Sequence, residues 1–289
     1  MSLYPLYIIP YWLQKRLTVF LALLLCSFGV AAQDALLPAL QPDETTQGVH
    51  PSLLHDRRLP DTVSVPSVHP PSSFLNLGKN ELTDDTGVLH PVWDKLRLTK
   101  TALQADSVRI IHIGDSHIRG RILPQTTGSC LKERFNAMSY IDMGINGAIC
   151  STFTNPDMIS RIAGLHPDLI ILSFGTNESY NRHYNSMEHY RQMDELVRML
   201  REALPGIPLL MTTPPGSYVG MKQKHRRYYY TVNPRTLVTV RSIRKFAADN
   251  GLALWDMYEI LGGTRRACQN WLGARLMRPD RVHFLPEGY

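Results

Sequence analysis

The segment Ile110-Ile-His-Ile-Gly-Asp-Ser-His117 gives the strongest indication of how this chain folds. Its apolar half belongs to a run over residues 108–113 that predicts a buried strand, and Gly-Asp-Ser predicts a tight turn into a helix. Near the far end, Asp280-Arg-Val-His283 places an acid and an imidazole three positions apart. A serine directly after a strand, together with a late Asp-x-x-His, supplies the parts of a serine esterase.

Ser116, His283 and Asp280 form the candidate catalytic set. A serine hydroxyl is a poor nucleophile at neutral pH and needs a base to accept its proton during the attack. His283 is the predicted base, and it would return the proton to the leaving alcohol. Asp280 would hydrogen-bond the other ring nitrogen, which fixes the tautomer and stabilises the imidazolium.

Two motifs between these residues are candidates for binding the oxyanion of a tetrahedral intermediate. Gly144-Ile-Asn-Gly-Ala148 and Phe174-Gly-Thr-Asn177 both follow apolar runs, where open α/β sheets place their ligands. The predicted donors are the backbone N–H of Ser116, the backbone N–H of Gly147 and the side-chain amide of Asn177. Taken singly, each motif also occurs in ordinary turns and strand exits, so the prediction depends on their combination.

These motifs, in this order, resemble those of the SGNH (GDSL-type) hydrolase family, which is named for its Ser, Gly, Asn and His. The resemblance implies a flavodoxin-like, three-layer α/β/α fold around a five-stranded parallel sheet. Strand–helix alternation along residues 108–255 independently predicts an α/β protein with a parallel sheet covered on both faces. The corresponding residues here are Ser116, Gly147, Asn177 and His283.

Within this family, the residues of these motifs resemble those of bacterial peptidoglycan O-acetylesterases. These exported enzymes remove acetyl groups from O6 of muramic acid, so the resemblance implies an acetylated cell-wall glycan as the substrate. His117, Glu178 and Arg119 are then candidate substrate-binding residues. His117 is equally compatible with packing at the helix start, and Arg119 with a solvated helix position. Asp115 is expected to hold the turn and to take no part in the chemistry.

Other functions are compatible with the same residues. The enzyme alternatives are an acetylesterase of other polysaccharides, a small-acyl lipase or thioesterase, and an acetyltransferase that uses the same triad. The non-enzyme alternative is an inactive glycan-binding module. Residues 222–230 mix basic and aromatic side chains, a combination that binds anionic sugars in some proteins and is ordinary surface in others.

Composition argues against several other classes of protein. The 289-residue chain is 44% hydrophobic, which is enough for one good core, and its formal charge is +6. Loss of Lys15 and Arg16 with an export signal would leave +4 (6 − 2), a mild excess that suits an anionic polymer and not nucleic acid. The sequence has no zinc-type Cys/His spacing and no Gly-rich phosphate loop, so neither a metal nor another cofactor is predicted.

The N-terminus has the pattern of a secretory signal. Lys15-Arg16 precedes an apolar core over residues 17–29, and Val30-Ala-Ala32 supplies small residues for cleavage. Residues 1–32 are therefore the predicted signal peptide of a periplasmic or secreted bacterial protein. Membrane contact would come only through an uncleaved signal, whose core is short for a span of about 20 residues. A lipoprotein is disfavoured because the bulky Leu25 precedes Cys26.

The rest of the chain divides into two predicted segments. Residues 33–88 are rich in proline, serine and threonine and are predicted to be loosely structured, whereas residues 89–289 form the hydrolase domain. Family members generally continue beyond the histidine with a helix that closes the sheet, so the end at Tyr289 predicts a truncated domain without this helix. Without Cys26, one disulfide with a free thiol or three buried thiols are both compatible with Cys130, Cys150 and Cys268.

Overall fold

The computed structural model describes residues 74–289 apart from residues 101–106, 136 and 223–227. The predicted signal peptide and most of the proline-rich segment lie outside the described residues, and so does the tip of the basic and aromatic stretch at residues 222–230. No helix in the described part of the chain is both long enough and apolar enough to cross a membrane.

A six-stranded sheet forms the centre of the fold, and a separate two-stranded hairpin accompanies it. The strands are β1 (Leu82–Thr83), β2 (Val108–Gly114), β3 (Met138–Gly144), β4 (Leu169–Ser173), β5 (Leu209–Thr212), β6 (Tyr218–Lys222), β7 (Tyr228–Val232) and β8 (Ala253–Trp255). The central sheet has the order β1-β8-β5-β4-β2-β3, in which β1 is antiparallel and the other five strands are parallel. Counted along the chain, the parallel strands follow the flavodoxin-like order, which confirms the predicted fold class.

Helices cover both faces of this sheet. They are α1 (His90–Lys100), α2 (Ser116–Arg119), α3 (Ile122–Arg134), α4 (Cys150–Phe153), α5 (Pro156–Ala163), α6 (Thr176–Tyr180), α7 (Ser186–Ala203), α8 (Pro234–Asp249), α9 (Met257–Ile260) and α10 (Gly263–Gly273). Short 3₁₀ turns occupy Leu77–Lys79 and Pro286–Gly288. This arrangement is the three-layer α/β/α architecture that the family resemblance implies.

The alternation of side chains along β2 shows why the sheet needs cover on both faces. Ile111 and Ile113 point into one hydrophobic core, which they share with apolar residues of α5, α7 and α8. Val108 and Ile110 belong to a second core, which includes apolar residues of α1. Because successive side chains of a strand point to opposite faces, a strand with apolar side chains at both odd and even positions is stable only when it is buried on both sides.

Two parts of the structure differ from the sequence-based expectation. Residues 74–88, which were assigned to the loosely structured segment, are attached to the domain: β1 pairs with β8, and Nε1 of Trp255 donates to Oδ1 of Asn80 at 3.1 Å. The stretch before α8 was not predicted to contain strands, yet β6 and β7 pair there as an antiparallel hairpin. Of the cysteines, Cys150 and Cys268 are buried free thiols.

Candidate active site

Ser116 lies where β2 passes into α2, at the carboxyl edge of the sheet. Asp115 is the N-cap of this helix, and its Oδ1 accepts the backbone N–H of His117 at 2.9 Å. The Asp115 side chain is only 2% exposed, and its burial raises the pKa of the carboxyl to about 7. The expectation that Asp115 holds the turn is confirmed by this hydrogen bond, since N-cap side chains satisfy the unpaired donors of a helix start.

The structure brings Ser116, His283 and Asp280 into one hydrogen-bonded chain. Nε2 of His283 lies 2.7 Å from Oγ of Ser116, and Nδ1 of the same ring lies 2.8 Å from Oδ2 of Asp280. Ser116 and His283 are 167 positions apart in the sequence, whereas Asp280 comes from the same turn as His283. The order hydroxyl, imidazole, carboxylate is the one that a serine nucleophile needs for proton transfer.

The loop that carries His283 is fixed by backbone and aromatic contacts. The backbone N–H of Arg278 donates to the carbonyl of His283 at 2.8 Å, and Met277 forms a β-bridge with Phe284. Phe284 is buried against Trp271, whose Nε1 donates to the carbonyl of Gly288 at 2.6 Å. Trp271 therefore packs behind the loop and supports it.

The three predicted oxyanion donors come from neighbouring strands. Ser116 follows β2, Gly147 follows β3 and Asn177 follows β4, and β2 lies between β3 and β4 in the sheet. The strand order reverses direction around β2, which is where open α/β sheets place their ligands. As the first residue of α2, Ser116 has a backbone N–H that no carbonyl within this helix accepts.

Gly147 and Asn177 differ in how they are held. Gly147 has a φ of +74°, in the region that favours glycine, and a Cβ added there would meet no atom within 4 Å. The requirement for glycine is therefore conformational, and the backbone borders open space. Nδ2 of Asn177 donates one hydrogen to the carbonyl of Ala148 at 2.9 Å, which leaves its second hydrogen for another acceptor.

Glu178 does not have the surface position that a substrate-binding residue needs. It is 6% exposed, and its carboxylate accepts the backbone N–H of Cys150 at 3.0 Å through Oε1 and that of Gly175 at 2.8 Å through Oε2. Burial raises the pKa of this carboxyl. The assignment of Glu178 to substrate binding is thus corrected: the side chain points inward and joins the loop of Gly147 to the loop of Asn177.

His117 and Arg119 have contrasting environments on α2. His117 is 4% exposed, its Nδ1 lies 2.8 Å from the hydroxyl of Tyr289, and its ring centroid lies 5.2 Å from that of His283. Burial, followed by the nearby His283, lowers the pKa of His117 to about 3. This environment matches the packing interpretation of His117. Arg119 is exposed, and its substrate-binding role stays a prediction.

A buried thiol and imidazole lie behind the Glu178 carboxylate and were not singled out from the sequence. Nε2 of His189 lies 3.9 Å from Sγ of Cys150 and 3.8 Å from Oε1 of Glu178, while its Nδ1 is hydrogen-bonded to the hydroxyl of Tyr184 at 3.0 Å. These three residue types are possible metal ligands. Burial raises the pKa of the Cys150 thiol well above its ordinary value, so the group is a neutral thiol packed against an imidazole.

The fold and the hydrogen-bonded serine define a hydrolase of the serine-nucleophile type on a flavodoxin-like sheet. The chain belongs to the GDSL-like lipase/acylhydrolase family, whose sequence profile matches residues 112–289, more than half of the chain. Membership of this family of lipases and acylhydrolases makes the protein a hydrolase of ester bonds. The family resemblance stated from the four motifs is confirmed.

Several solved structures are similar to this one at low sequence identity. A peptidoglycan O-acetylesterase has a TM-score of 0.61 and 17% identity, covering 72% of this chain and 94% of its own. A GDSL-like lipase from Bacteroides thetaiotaomicron VPI-5482 has a TM-score of 0.46 and 19% identity, covering 67% and 90%. The native aryl esterase of M. smegmatis has a TM-score of 0.44 and 15% identity, covering 63% and 93%. A search of curated protein sequences finds no significant match.

Proposed function

We propose that this enzyme removes O-acetyl groups from a carbohydrate, with muramic acid of peptidoglycan as the leading substrate. The observation that carries the proposal is the chain of hydrogen bonds from Ser116 through His283 to Asp280. Two residues of the motifs support the choice of substrate because they resemble those of peptidoglycan O-acetylesterases: His117 directly after the serine, and Glu178 directly after Asn177. The similarity to a peptidoglycan O-acetylesterase structure supports the same choice.

The reaction proceeds through an acetyl-enzyme. Nε2 of His283 accepts the hydroxyl proton while Oγ of Ser116 bonds to the acetyl carbonyl carbon. Collapse of the tetrahedral intermediate breaks the bond to the sugar oxygen, and His283 returns its proton to that oxygen. Water then attacks the carbonyl carbon of the acetyl-enzyme while His283 accepts a proton from it. Release of acetate breaks the bond to Oγ of Ser116, which takes the proton back from His283.

The negative oxygen of each tetrahedral intermediate is stabilised by donors fixed in advance. The backbone N–H groups of Ser116 and Gly147 and the remaining amide hydrogen of Asn177 provide three such donors. Loss of one donor of this kind typically lowers turnover by about 10²–10³-fold. Asp280 holds the tautomer of His283 in which Nε2 is the free base.

Acetate release tests the proposal, with nitrophenyl acetate and O-acetylated peptidoglycan as substrates. We expect the wild type to release acetate from both, and Ser116→Ala to lose at least about 10³-fold in kcat/KM on each. Ser160→Ala, an exposed helix serine, serves as the matched control and should retain full activity. Activity on nitrophenyl acetate alone would keep the esterase and reject the wall-glycan substrate, whereas activity that survives in Ser116→Ala would reject the nucleophile.

We further propose that the enzyme is exported, because residues 1–32 have the composition of a secretory signal. Export would place it in the compartment that holds peptidoglycan. N-terminal sequencing of protein recovered from outside the cytoplasm of a bacterial host should begin at Gln33. An intact N-terminus on cytoplasmic protein would reject this proposal.

A further inference from the structure

The hairpin of β6 and β7 is attached to the loop that carries the catalytic base. The backbone N–H of Tyr218, the first residue of β6, donates to the carbonyl of Arg281 at 3.0 Å. Arg281 lies between Asp280 and His283 in the sequence, and its φ is +58°. Its Cα is therefore at most about 7 Å from that of His283. The turn that carries the base therefore also carries a cationic side chain.

The guanidinium of Arg281 rests on aromatic rings of this hairpin. Its Cζ lies 4.2 Å from the ring centroid of Tyr230 and 5.9 Å from that of Tyr218. Cation–π stacking uses the face of the guanidinium and holds it in place, while the N–H groups at its edge stay available for a planar anion. In the part of the chain that the structure describes, no carboxylate forms an ion pair with this group.

We propose that Arg281, stacked on Tyr230, binds the carboxylate of an acidic sugar in the substrate; in muramic acid this is the lactyl carboxylate of a residue that carries no stem peptide. This inference rests on the proposed function, since it assigns a charge to the sugar whose acetyl ester reaches Ser116. A fixed guanidinium forms two parallel hydrogen bonds with a carboxylate, which gives orientation as well as attraction. The ester itself needs only the triad and the oxyanion donors, so Arg281 governs which glycan is preferred.

A pair of substrates that differ only in this charge tests the proposal directly. The two are O-acetylated N-acetylmuramic acid and its carboxamide. We expect the wild type to prefer the acid by about fivefold in kcat/KM, mainly through a lower KM, as for a partly exposed ion pair. Arg281→Asn should abolish this preference, because asparagine tolerates a positive φ and removes the charge without forcing the turn to change. Added salt should weaken the preference of the wild type in the same direction.

Arg275→Asn is the matched control. Arg275 is exposed and has a φ of +60°, so the same exchange is made in the same backbone conformation at another site. The control should keep the preference for the acid. The proposal would be overturned by a wild type that treats acid and amide alike, or by Arg281→Asn losing activity on both substrates equally, since the latter marks a purely structural role.

Inhibition separates failure of this inference from failure of the proposed function. N-acetylmuramic acid and its carboxamide, both without acetyl ester, are added as competitors of nitrophenyl acetate hydrolysis. If neither acetylated sugar is cleaved but nitrophenyl acetate is, the muramic acid substrate is rejected, and the inhibition still reports on Arg281. Stronger inhibition by the acid that disappears in Arg281→Asn supports the carboxylate site, and equal inhibition by the two sugars overturns it.

Discussion

Asp280 uses its two carboxylate oxygens for different tasks. Oδ1 accepts the backbone N–H groups of Val282 and His283, both at 2.9 Å, and thereby closes the turn, while Oδ2 faces Nδ1 of His283. Burial of Asp280 raises its pKa, but the hydrogen bonds from the His283 ring and these N–H groups outweigh burial, so the pKa lies below its ordinary value. The group therefore stays ionised at neutral pH, as an orienting carboxylate must.

Replacement of Asp280 by asparagine should separate these tasks. Oδ1 of asparagine can still accept the two N–H groups, so the turn is expected to survive. An amide NH₂ in place of Oδ2 would oppose Nδ1–H and favour the tautomer in which Nε2 carries the proton. We expect Asp280→Asn to lower kcat by about 10³-fold or more while KM changes little, measured on nitrophenyl acetate.

The matched control for this substitution is Asp157→Asn, an exposed carboxylate in the first turn of α5. It should leave kcat and KM unchanged. If Asp280→Asn kept a tenth or more of the wild-type kcat, Asp280 would be a turn residue without an orienting role.

For single residues, the sequence predicted which side chains carry out proton transfer better than it predicted where a side chain points. Ser116, Asp280 and His283 were found because their residue types and short spacings are dictated by proton transfer. Glu178 was assigned to substrate binding, but its carboxylate accepts hydrogen bonds from backbone N–H groups of the protein itself. Its carboxylate is buried because Cys150, 28 positions earlier, presents a backbone N–H to it, and such proximity is a property of the folded chain.

At the scale of elements, Glu178 connects the two loops that hold the side-chain and glycine donors. Its carboxylate accepts one backbone N–H from α4, just after the Gly147 loop, and one from the residue before α6, which begins beside Asn177. A third bond from Asn177 to Ala148 joins the same loops. Oxyanion donors must be fixed before the reaction to be effective, and we propose Glu178 as a positioning residue for the predicted donors.

Glu178→Gln should loosen this connection. Glutamine has one acceptor oxygen, so one of the two backbone N–H groups would face an NH₂ and lose its partner. We expect kcat to fall about tenfold with little change in KM, since an oxyanion contact forms only in the transition state, and we expect about 1–3 kcal/mol of lost stability. Steady-state kinetics and denaturant unfolding measure the two effects.

Glu188→Gln on the exposed face of α7 is the control, and both quantities should be unchanged. An unaltered kcat in Glu178→Gln, in protein that is measurably less stable, would show that Glu178 supports the fold without positioning the donors.

Elements with sustained periodicity were predictable, and short or irregular ones were not. β4 is a continuous apolar run with every residue buried, and α7 places apolar residues at helical spacing. β1 contains two residues, which is too few for any period to be detected. The hairpin of β6 and β7 carries several tyrosines, a glycine and Lys222 where an alternating apolar pattern would mark strands, and it is defined by its pairing.

For the molecule as a whole, parallel strands determine where the site lies. Their carboxyl ends share one edge, so the residues after β2, β3 and β4 converge there whatever their separation in the chain.

The sheet also contains a buried polar chain: His112 is hydrogen-bonded to the hydroxyl of Tyr140 at 2.8 Å and to Oγ of Ser173 at 2.6 Å, and Thr212 donates to Ser173 at 2.8 Å. This chain crosses four neighbouring strands, and burial of His112 lowers its pKa and keeps the imidazole neutral.

Buried ionisable groups give the folded protein a defined response to acid. Burial lowers the pKa of His112 and His117 to about 3 and that of His189 to about 4, from 6.5 for an unhindered imidazole. Between pH 6.5 and about 4 these three groups take up protons mainly on unfolding, which lowers stability as the pH falls. Asp115 and Glu178 act in the opposite direction, because burial raises their pKa values and they hold protons more firmly when folded.

The histidines outnumber these two acids, so the free energy of unfolding should fall on acidification. As the pH falls from 6.5 to 4.5 the unfolded imidazoles fill with protons, and the net uptake on unfolding from these groups rises to about one proton (3 − 2), which corresponds to about 1.4 kcal/mol lost per pH unit at the acid end of this range. Guanidinium unfolding at several pH values across this range measures the slope. Asp115→Asn removes an opposing group, so its slope should be steeper than that of the wild type. A free energy of unfolding that is flat or rises towards pH 4.5 would mean that the buried imidazoles are already protonated in the folded protein.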